Sequence, residues 1–222
     1  MPEAARRPFA RLSLALVLSI SAAAAACNAT GATAIPTPPP TTTSAPGGSG
    51  PTALSTTIFS VPFSLTLPTG WTVFDEQPDM FAAYISTDNE TADVGIDIQL
   101  VPKVHLDPCD KGAGTITAGS TAAELAAWMV AYAPLNGSAG TATTIDGAKA
   151  LVVDEAFAGT PCENPELWPT DGGWLDASEH KRYFVFEVGG QRLVATIHSS
   201  DAEFDSHVEA ALAVLATLRF TP

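Results

Sequence analysis

The chain has 222 residues and a formal net charge of −14, with 24 acidic and 10 basic side chains. Beyond residue 57 the imbalance is larger, with 23 acidic and 7 basic residues. So acidic a surface repels phosphate backbones and anionic headgroups, which excludes nucleic acid as a partner and excludes membrane binding through surface charge. Its simplest explanation is solubility at a crowded surface, and binding of calcium or another cationic ligand is the alternative.

Residues 1–26 have the pattern of a cleaved signal peptide. A basic segment, 1–11, precedes an uncharged apolar run, 12–26, that is too short to span a bilayer comfortably. The segment Ala24-Ala25-Ala26-Cys27 resembles a bacterial lipobox, although Ala24 replaces the usual leucine. We therefore expect lipidation of Cys27 and attachment to the cell membrane outside the cytoplasm. Secretion after an ordinary Ala-x-Ala cleavage is the alternative, and Arg6-Arg7 leaves a twin-arginine export route open.

After Cys27, residues 28–57 are rich in threonine, proline and glycine. Such a stretch contains almost nothing that could be buried, and its prolines oppose helix formation. We predict a disordered linker over 27–57 that carries the lipidated cysteine, followed by one globular domain over 58–222.

Within the domain, apolar and polar residues alternate in several stretches, which predicts half-buried strands. The predicted strands cover residues 59–67, 71–74, 80–85, 93–101, 148–157, 180–188 and 191–199. In the segment 93–101 we expect Ile96 and Ile98 to face the core, with Asp97 and Gln99 on the opposite face.

The clearest hairpin turns at Gly189-Gly190, a pair that accepts the positive φ of a tight turn. This turn places Glu187 opposite Arg192 and Phe186 opposite Leu193. Charged residues then meet on one face and apolar residues on the other, which supports the register.

Two helices are predicted from capping boxes, one at Thr121–Glu124 and one at Ser200–Glu203. Apolar residues follow both boxes at helical spacing. Runs of strands interrupted by two main helices indicate an α+β domain in which the helices pack on an antiparallel sheet.

The three cysteines are an odd number for an exported protein. If Cys27 carries lipid, Cys109 and Cys162 remain as one disulfide pair. A redox-active pair or a metal site is the alternative, but the chain has no CxxC motif and no histidine at ligand spacing to either cysteine. A structural disulfide is therefore expected.

Trp168 and Trp174 flank a polar loop after Cys162. Two tryptophans in such a loop can form a stacking platform for a sugar or another flat ligand. The alternative is that they cover the disulfide and one end of the sheet.

Asp107, Asp110 and Glu163 lie beside the cysteines, where three carboxylates could bind calcium. Their spacing is not that of an EF-hand, which favours a solvated surface. His198 is expected on the polar face of its strand beside Lys181. The chain contains neither HExxH nor GxSxG, so we predict no catalytic residues, no metal site and no cofactor.

The opening segment from Phe63 to Trp71, a mid-chain helix, a hairpin and a closing helix that ends at Leu218-Arg219-Phe220 together resemble the PsbP-like fold. Small bacterial lipoproteins of the LpqN type look similar. The resemblance implies a curved antiparallel sheet between helices, and it implies binding or accessory roles without catalytic residues.

These observations favour a monomeric, non-catalytic accessory module of the cell envelope that binds a small ligand or a partner protein. The alternative is an envelope hydrolase or carbohydrate-active enzyme using carboxylates such as Asp154, Glu155 or Asp176. Paired carboxylates in a pocket would favour the enzyme.

Overall fold

The computed structural model describes residues 50–85, 94–156, 162, 165–170, 173, 179–200 and 204–221. The strands are β1 (Thr52–Ser55), β2 (Phe63–Leu67), β3 (Trp71–Glu76), β4 (Met80–Ile85), β5 (Val94–Leu100), β6 (Val104–His105), β7 (Thr115–Ile116), β8 (Gly137–Ala139), β9 (Thr143–Ile145), β10 (Ala148–Ala156), β11 (Glu179–Val188), β12 (Gln191–Ser200) and β13 (Arg219–Phe220). The α-helices are α1 (Ala122–Ala131) and α2 (Phe204–Leu215), and short 3₁₀ turns occupy Lys111–Ala113 and Ala133–Leu135.

An antiparallel sheet of eight strands forms the centre of the domain. Its order is β3-β4-β5-β12-β11-β10-β8, and β9 pairs with the other end of β10. The hairpin of β11 and β12 has the predicted register, with Glu187 opposite Arg192 and Phe186 opposite Leu193. The predicted α+β class, with two helices packed on an antiparallel sheet, is confirmed.

Both faces of this sheet are covered. On one face, α2 and a small sheet of β1, β2 and β13 pack over a core that includes Ile96, Ile98 and Phe186. On the other face, α1 and the segment containing Trp168 cover Val185 and other apolar side chains. The domain is therefore layered on both sides of one sheet, as the resemblance implied.

Coverage of the second face corrects one prediction about β5. Asp97 and Gln99 were expected on a polar outer face, yet every residue of β5 is buried. The alternation in the sequence correctly separates the two faces. It does not reveal that α1 and the Trp168 segment, which lie far away in the chain, cover the polar face.

The predicted linker extends too far. Residues 52–55, which we assigned to the linker, form β1 and pair with β2. Three of its four side chains are exposed, so the strand shows no alternation and is held by backbone hydrogen bonds to β2 and by Leu54 on the core.

The first predicted helix begins at its capping box. The Thr121 side chain accepts a hydrogen bond from the backbone N–H of Glu124, and the Glu124 carboxylate accepts from the backbone N–H of Thr121. In α2, Phe204, Val208 and Ala211 are buried. Residues 201–203 of the second predicted box lie outside the described residues. No helix in the described part of the chain is long and apolar enough to span a membrane.

Candidate functional site

Cys109 and Cys162 form a disulfide, as predicted, with 5.6 Å between their Cα atoms. The bridge joins the segment after β6 to the segment after β10. The Sγ of Cys109 also lies 4.0 Å from the hydroxyl of Tyr132, just beyond α1. The disulfide therefore ties two long connections together beside the end of α1.

The acidic residues beside the bridge are engaged with their own loop. Asp107 accepts a hydrogen bond from the backbone N–H of Cys109, and Asp110 accepts from the N–H of Gly112. Glu163 lies outside the described residues. Among the residues described, no group of three histidine, cysteine or acidic side chains could hold a metal ion. Calcium binding at Asp107, Asp110 and Glu163 stays an untested alternative.

Trp168 is fully buried, so the prediction that it stacks on a ligand at the surface is wrong. Its indole N–H donates to the side-chain oxygen of Gln99 at 3.0 Å, and its ring meets Tyr183 edge-on. The buried amide of Gln99 needs a donor, and the indole provides one without water. Trp168 thus covers the sheet, as the alternative interpretation held, and Trp174 lies outside the described residues.

A cleft of about 550 Å³ opens at the end of the sheet that carries the Gly189-Gly190 turn. Four parts of the chain beside the turn contribute to it. The lining residues are Asp79, Leu100, Pro102, Lys103, Thr117, Gly119, Ser120, Pro169, Thr170, Gly190, Gln191 and Arg192. Leucine and proline form its apolar part, and amide, hydroxyl and ammonium groups provide hydrogen-bonding partners.

Arg192 makes one wall of the cleft rigid. Its guanidinium donates to the backbone carbonyls of Val101, Pro102, Ala118 and Gly119 at 2.8–3.1 Å. Burial is the main influence on its pKa and lowers it from the ordinary value. Because its donors hold two loops in place, Arg192 preorganises the cleft rather than presenting a free cation to a ligand.

The donors at the start of α1, beside this cleft, are engaged as well. The N–H of Ala122 donates to Glu187 at 2.6 Å, and the N–H groups of Ser120 and Thr121 donate to Glu124. The cleft therefore offers neutral polar groups, the Asp79 carboxylate and the Lys103 ammonium, but not an open helix terminus for an anion.

A second concentration of charged side chains lies on the face of the central sheet that α1 covers. His198 sits between two carboxylates, with Nε2 3.5 Å from Asp97 and Nδ1 3.6 Å from Glu179. Lys181 is opposite His198 in the register, as predicted, and its Nζ lies 3.0 Å from Glu179. Gly95 makes room for this arrangement, because a Cβ at that position would lie 2.1 Å from Nε2 of His198. We call Asp97, Glu179, Lys181 and His198 the charge network.

The two carboxyl groups of the charge network have opposite pKa shifts. Burial raises the pKa of Asp97, and the charges of His198 and Lys181 only partly offset this effect. Burial also acts to raise the pKa of Glu179, but the hydrogen bond from His198 and the charge of Lys181 outweigh it and hold the value at about 2. Ionised Glu179 therefore stabilises the fold above pH 4.5, and this contribution is lost as the pH falls toward 2.

Glu155 is a separate buried acid on β10, next to Lys181 in the register. Its side chain is 3% exposed, and neither carboxyl oxygen reaches hydrogen-bond geometry with a described residue. Burial raises its pKa to about 8, while the nearby Tyr183 hydroxyl and the Lys181 ammonium act in the opposite direction. Glu155 is thus protonated at neutral pH.

Replacing this acid should change how stability depends on pH. The unfolded chain ionises Glu155 near 4.5, whereas the folded protein keeps it protonated up to about 8. The contribution of Glu155 to the free energy of unfolding is therefore complete below pH 4.5. It decreases as the pH rises to 8, by up to about 1.4 kcal/mol per pH unit. We expect urea unfolding of Glu155→Gln at a series of pH values to lack this decrease. The exposed control Glu209→Gln should retain it, and parallel curves for wild type and Glu155→Gln would contradict the assignment.

Only part of these arrangements was predicted from the sequence. The hairpin register places His198 beside Lys181, whereas the contribution of Asp97 and Glu179 was missed. The signal available was the predicted hairpin register combined with the alternation in β5, which sets Asp97 one step from His198 on the same face. Using it requires knowing that β5 pairs with β12, a contact between distant parts of the chain.

No protein-family model and no curated protein matches the sequence. Solved structures that resemble it include a crystal structure from Bacteroides thetaiotaomicron VPI-5482, with 12% identity and a TM-score of 0.39 over 72% of this chain and 45% of that one. This chain thus spans less than half the length of that protein. Cyanobacterial PsbP (CyanoP) from Synechocystis sp. PCC 6803 has 12% identity and a TM-score of 0.44 over 82% of this chain and 99% of that one.

LpqN, a protein involved in cell envelope biogenesis of Mycobacterium tuberculosis, has 13% identity and a TM-score of 0.36 over 78% of this chain and 92% of its own. Both kinds of protein that the sequence motifs resemble are therefore among its structural neighbours. At these TM-scores the similarity carries no argument about the function of this chain.

Proposed function

We propose that the chain is a membrane-anchored extracytoplasmic lipoprotein whose folded domain binds a small ligand or a partner protein of the cell envelope without catalysing a reaction. The proposal of an anchor rests on the apolar run that ends at Cys27. The Cys109–Cys162 disulfide supports the location, because such bonds persist in oxidising compartments.

The observation that carries the binding function is the preorganised cleft. Its wall is held by Arg192, and Asp79 is the single carboxylate among the described residues that line it. General acid–base hydrolysis of a glycoside needs two carboxyl groups on either side of the bond. One carboxylate, with Lys103 and neutral polar groups as its neighbours in the lining, is better suited to holding a ligand.

Two of the residues suggested for a hydrolase, Asp154 and Glu155, do not form a catalytic pair. Asp154 and Glu155 are consecutive on β10, so their side chains point to opposite faces of the sheet. Asp154 pairs with Arg182, whereas Glu155 is buried on the face of α1. Asp176 lies outside the described residues. This separation counts against a catalytic pair of Asp154 and Glu155.

The anchor is tested by changing the cysteine that would carry it. We expect wild-type protein expressed in a bacterial host to fractionate with membranes, and its N-terminal peptide to carry the mass of the acyl chains on Cys27. Cys27→Ala should move the protein to the soluble fraction, because the acidic domain has no affinity of its own for anionic lipid. Wild-type protein found in the soluble fraction with an unmodified Cys27 thiol would contradict the anchor.

The cleft is tested by a thermal-shift screen against calcium, envelope glycans and envelope lipids. A ligand that binds only the folded state raises the melting temperature, by an amount that grows with its concentration. We expect one of these classes to do so, and we expect Thr117→Trp, which fills the cleft, to abolish the shift. Thr143→Trp places the same ring on exposed β9 and should preserve it.

Three results would contradict non-catalytic binding of a small ligand in the cleft. They are the absence of any shift, an equal shift in both tryptophan variants, and hydrolysis of a screened glycan by the wild-type protein.

A further inference from the structure

β3 forms an open edge of the central sheet. It is the first strand in the sheet order and pairs with β4, and no other described strand pairs with it. The outer side of such a strand presents backbone N–H and C=O groups in the arrangement that a further strand needs. Another extended chain could therefore continue the sheet at this position.

Large apolar side chains are exposed along the same edge. Phe74 is 70% exposed and Val73 is 36% exposed, whereas the sheet interior is buried. The Phe74 ring is not free, because it packs edge-on against Tyr84 with 5.7 Å between the ring centroids. Ile58, 55% exposed, belongs to a segment whose backbone donates to the Glu76 carboxylate at the end of β3. We call Ile58, Val73 and Phe74 the edge patch.

The strand lacks two common protections against pairing, lysine and proline. Proteins block exposed edges with lysine, proline, inward charges or bulges. The segment Trp71–Glu76 contains neither lysine nor proline, and its register irregularity between Val73 and Asp75 falls at Phe74, whose ring stays exposed. An edge left open with an aromatic ring beside it suits recognition by strand addition.

The stretch of sequence that contains this edge strand carries charge of one sign. Residues 50–102 contain seven acidic residues and no lysine, arginine or histidine, so all seven basic residues of the domain follow at position 103 or later. Asp75 and Glu76 are at the end of β3 itself. A strand that docks here is therefore favoured when it carries positive charge.

We propose that the outer edge of β3 and the edge patch bind an extended, basic segment of a partner protein by strand addition. This surface is distinct from the cleft and does not depend on a ligand there. Pairing of β3 with the same strand of a second copy is disfavoured, because it would bring together two strands that each carry Asp75 and Glu76 and no basic residue.

The test uses the full-length protein and two short synthetic peptides, one alternating lysine with valine and the other alternating glutamate with valine. We expect the lysine peptide to bind, to slow hydrogen exchange at the backbone amides of residues 71–74, and to bind more weakly as salt is raised. The glutamate peptide should not bind. Phe74→Ser should weaken binding about tenfold, because exposed aromatic anchors contribute strongly at interfaces.

Leu106→Ser is the matched control, because Leu106 is 56% exposed and lies outside the acidic region 50–102. It should leave the affinity unchanged, and Ile58→Ser serves as a second test of the edge patch. Equal effects of Phe74→Ser and Leu106→Ser would overturn the proposal, as would exchange protection away from β3. Formation of a dimer by the wild-type protein alone, lost in Phe74→Ser, would also overturn it, since the occupant would then be a second copy.

Discussion

Lys181→Ala should lower the free energy of unfolding by about 3 kcal/mol or more, the cost of breaking a buried ion pair on one side. Lys181 is 3% exposed, and its Nζ lies 3.0 Å from Glu179. Removing the ammonium leaves a largely buried carboxylate without its main cation, and Glu155 and Asp97 remain nearby. Urea unfolding at neutral pH measures the effect.

The matched control is Lys111→Ala, which breaks an ion pair at the surface. Lys111 pairs with Glu166, but its side chain is 58% exposed. Exposed pairs contribute about 1 kcal/mol or less because water screens them and side-chain entropy opposes them. If the two variants lose the same stability, the charge network does not stabilise the fold as its burial indicates.

Replacing the disulfide should have an effect of similar size. Cys109 and Cys162 are 53 residues apart in the chain. On the chain-entropy argument, freeing a loop of this length costs about 4 kcal/mol, because the unfolded state regains the conformations that the bridge excluded. We expect the Cys109→Ser, Cys162→Ser double variant to unfold at a correspondingly lower denaturant concentration.

A reducing agent provides the matched comparison. Reduction of the wild-type protein should lower the unfolding midpoint toward that of the double variant, and the same reagent should leave the double variant unchanged. A wild-type midpoint that does not respond to complete reduction, shown by thiol labelling of both cysteines, would contradict a stabilising bridge.

The buried acids and the disulfide contribute to stability in different ways. The chain-entropy effect of the bridge acts mainly on the unfolded chain and does not depend on pH while the bond is intact. Glu155 and Glu179 act through their pKa values of about 8 and about 2. The contribution of Glu179 to stability is lost as the pH falls from 4.5 toward 2, and that of Glu155 is lost as the pH rises from 4.5 toward 8. Stability curves at several pH values can therefore separate the two sources.

Local chemistry determined several features from the sequence alone. The Gly189-Gly190 turn defined the register of β11 and β12, because a two-residue turn allows one pairing. The box at Thr121 and Glu124 marked the start of α1, because the free N–H groups of a helix need nearby acceptors. The pairing of Cys109 with Cys162 followed from counting the thiols that remain once Cys27 is assigned to lipid.

Only the tertiary structure decided which polar residues are buried. Alternation along a strand separates two faces, but it does not reveal what covers each face. Trp168 and α1 cover the face of Asp97 and Gln99. Trp168, which was considered for stacking on a ligand, is therefore part of the core. Asp97 belongs to the charge network instead of facing solvent. Strand β1 also depended on distant pairing, because its backbone hydrogen bonds with β2 are independent of side-chain pattern. Contacts between distant parts of the chain set burial, and burial set the pKa values and the partners of these residues.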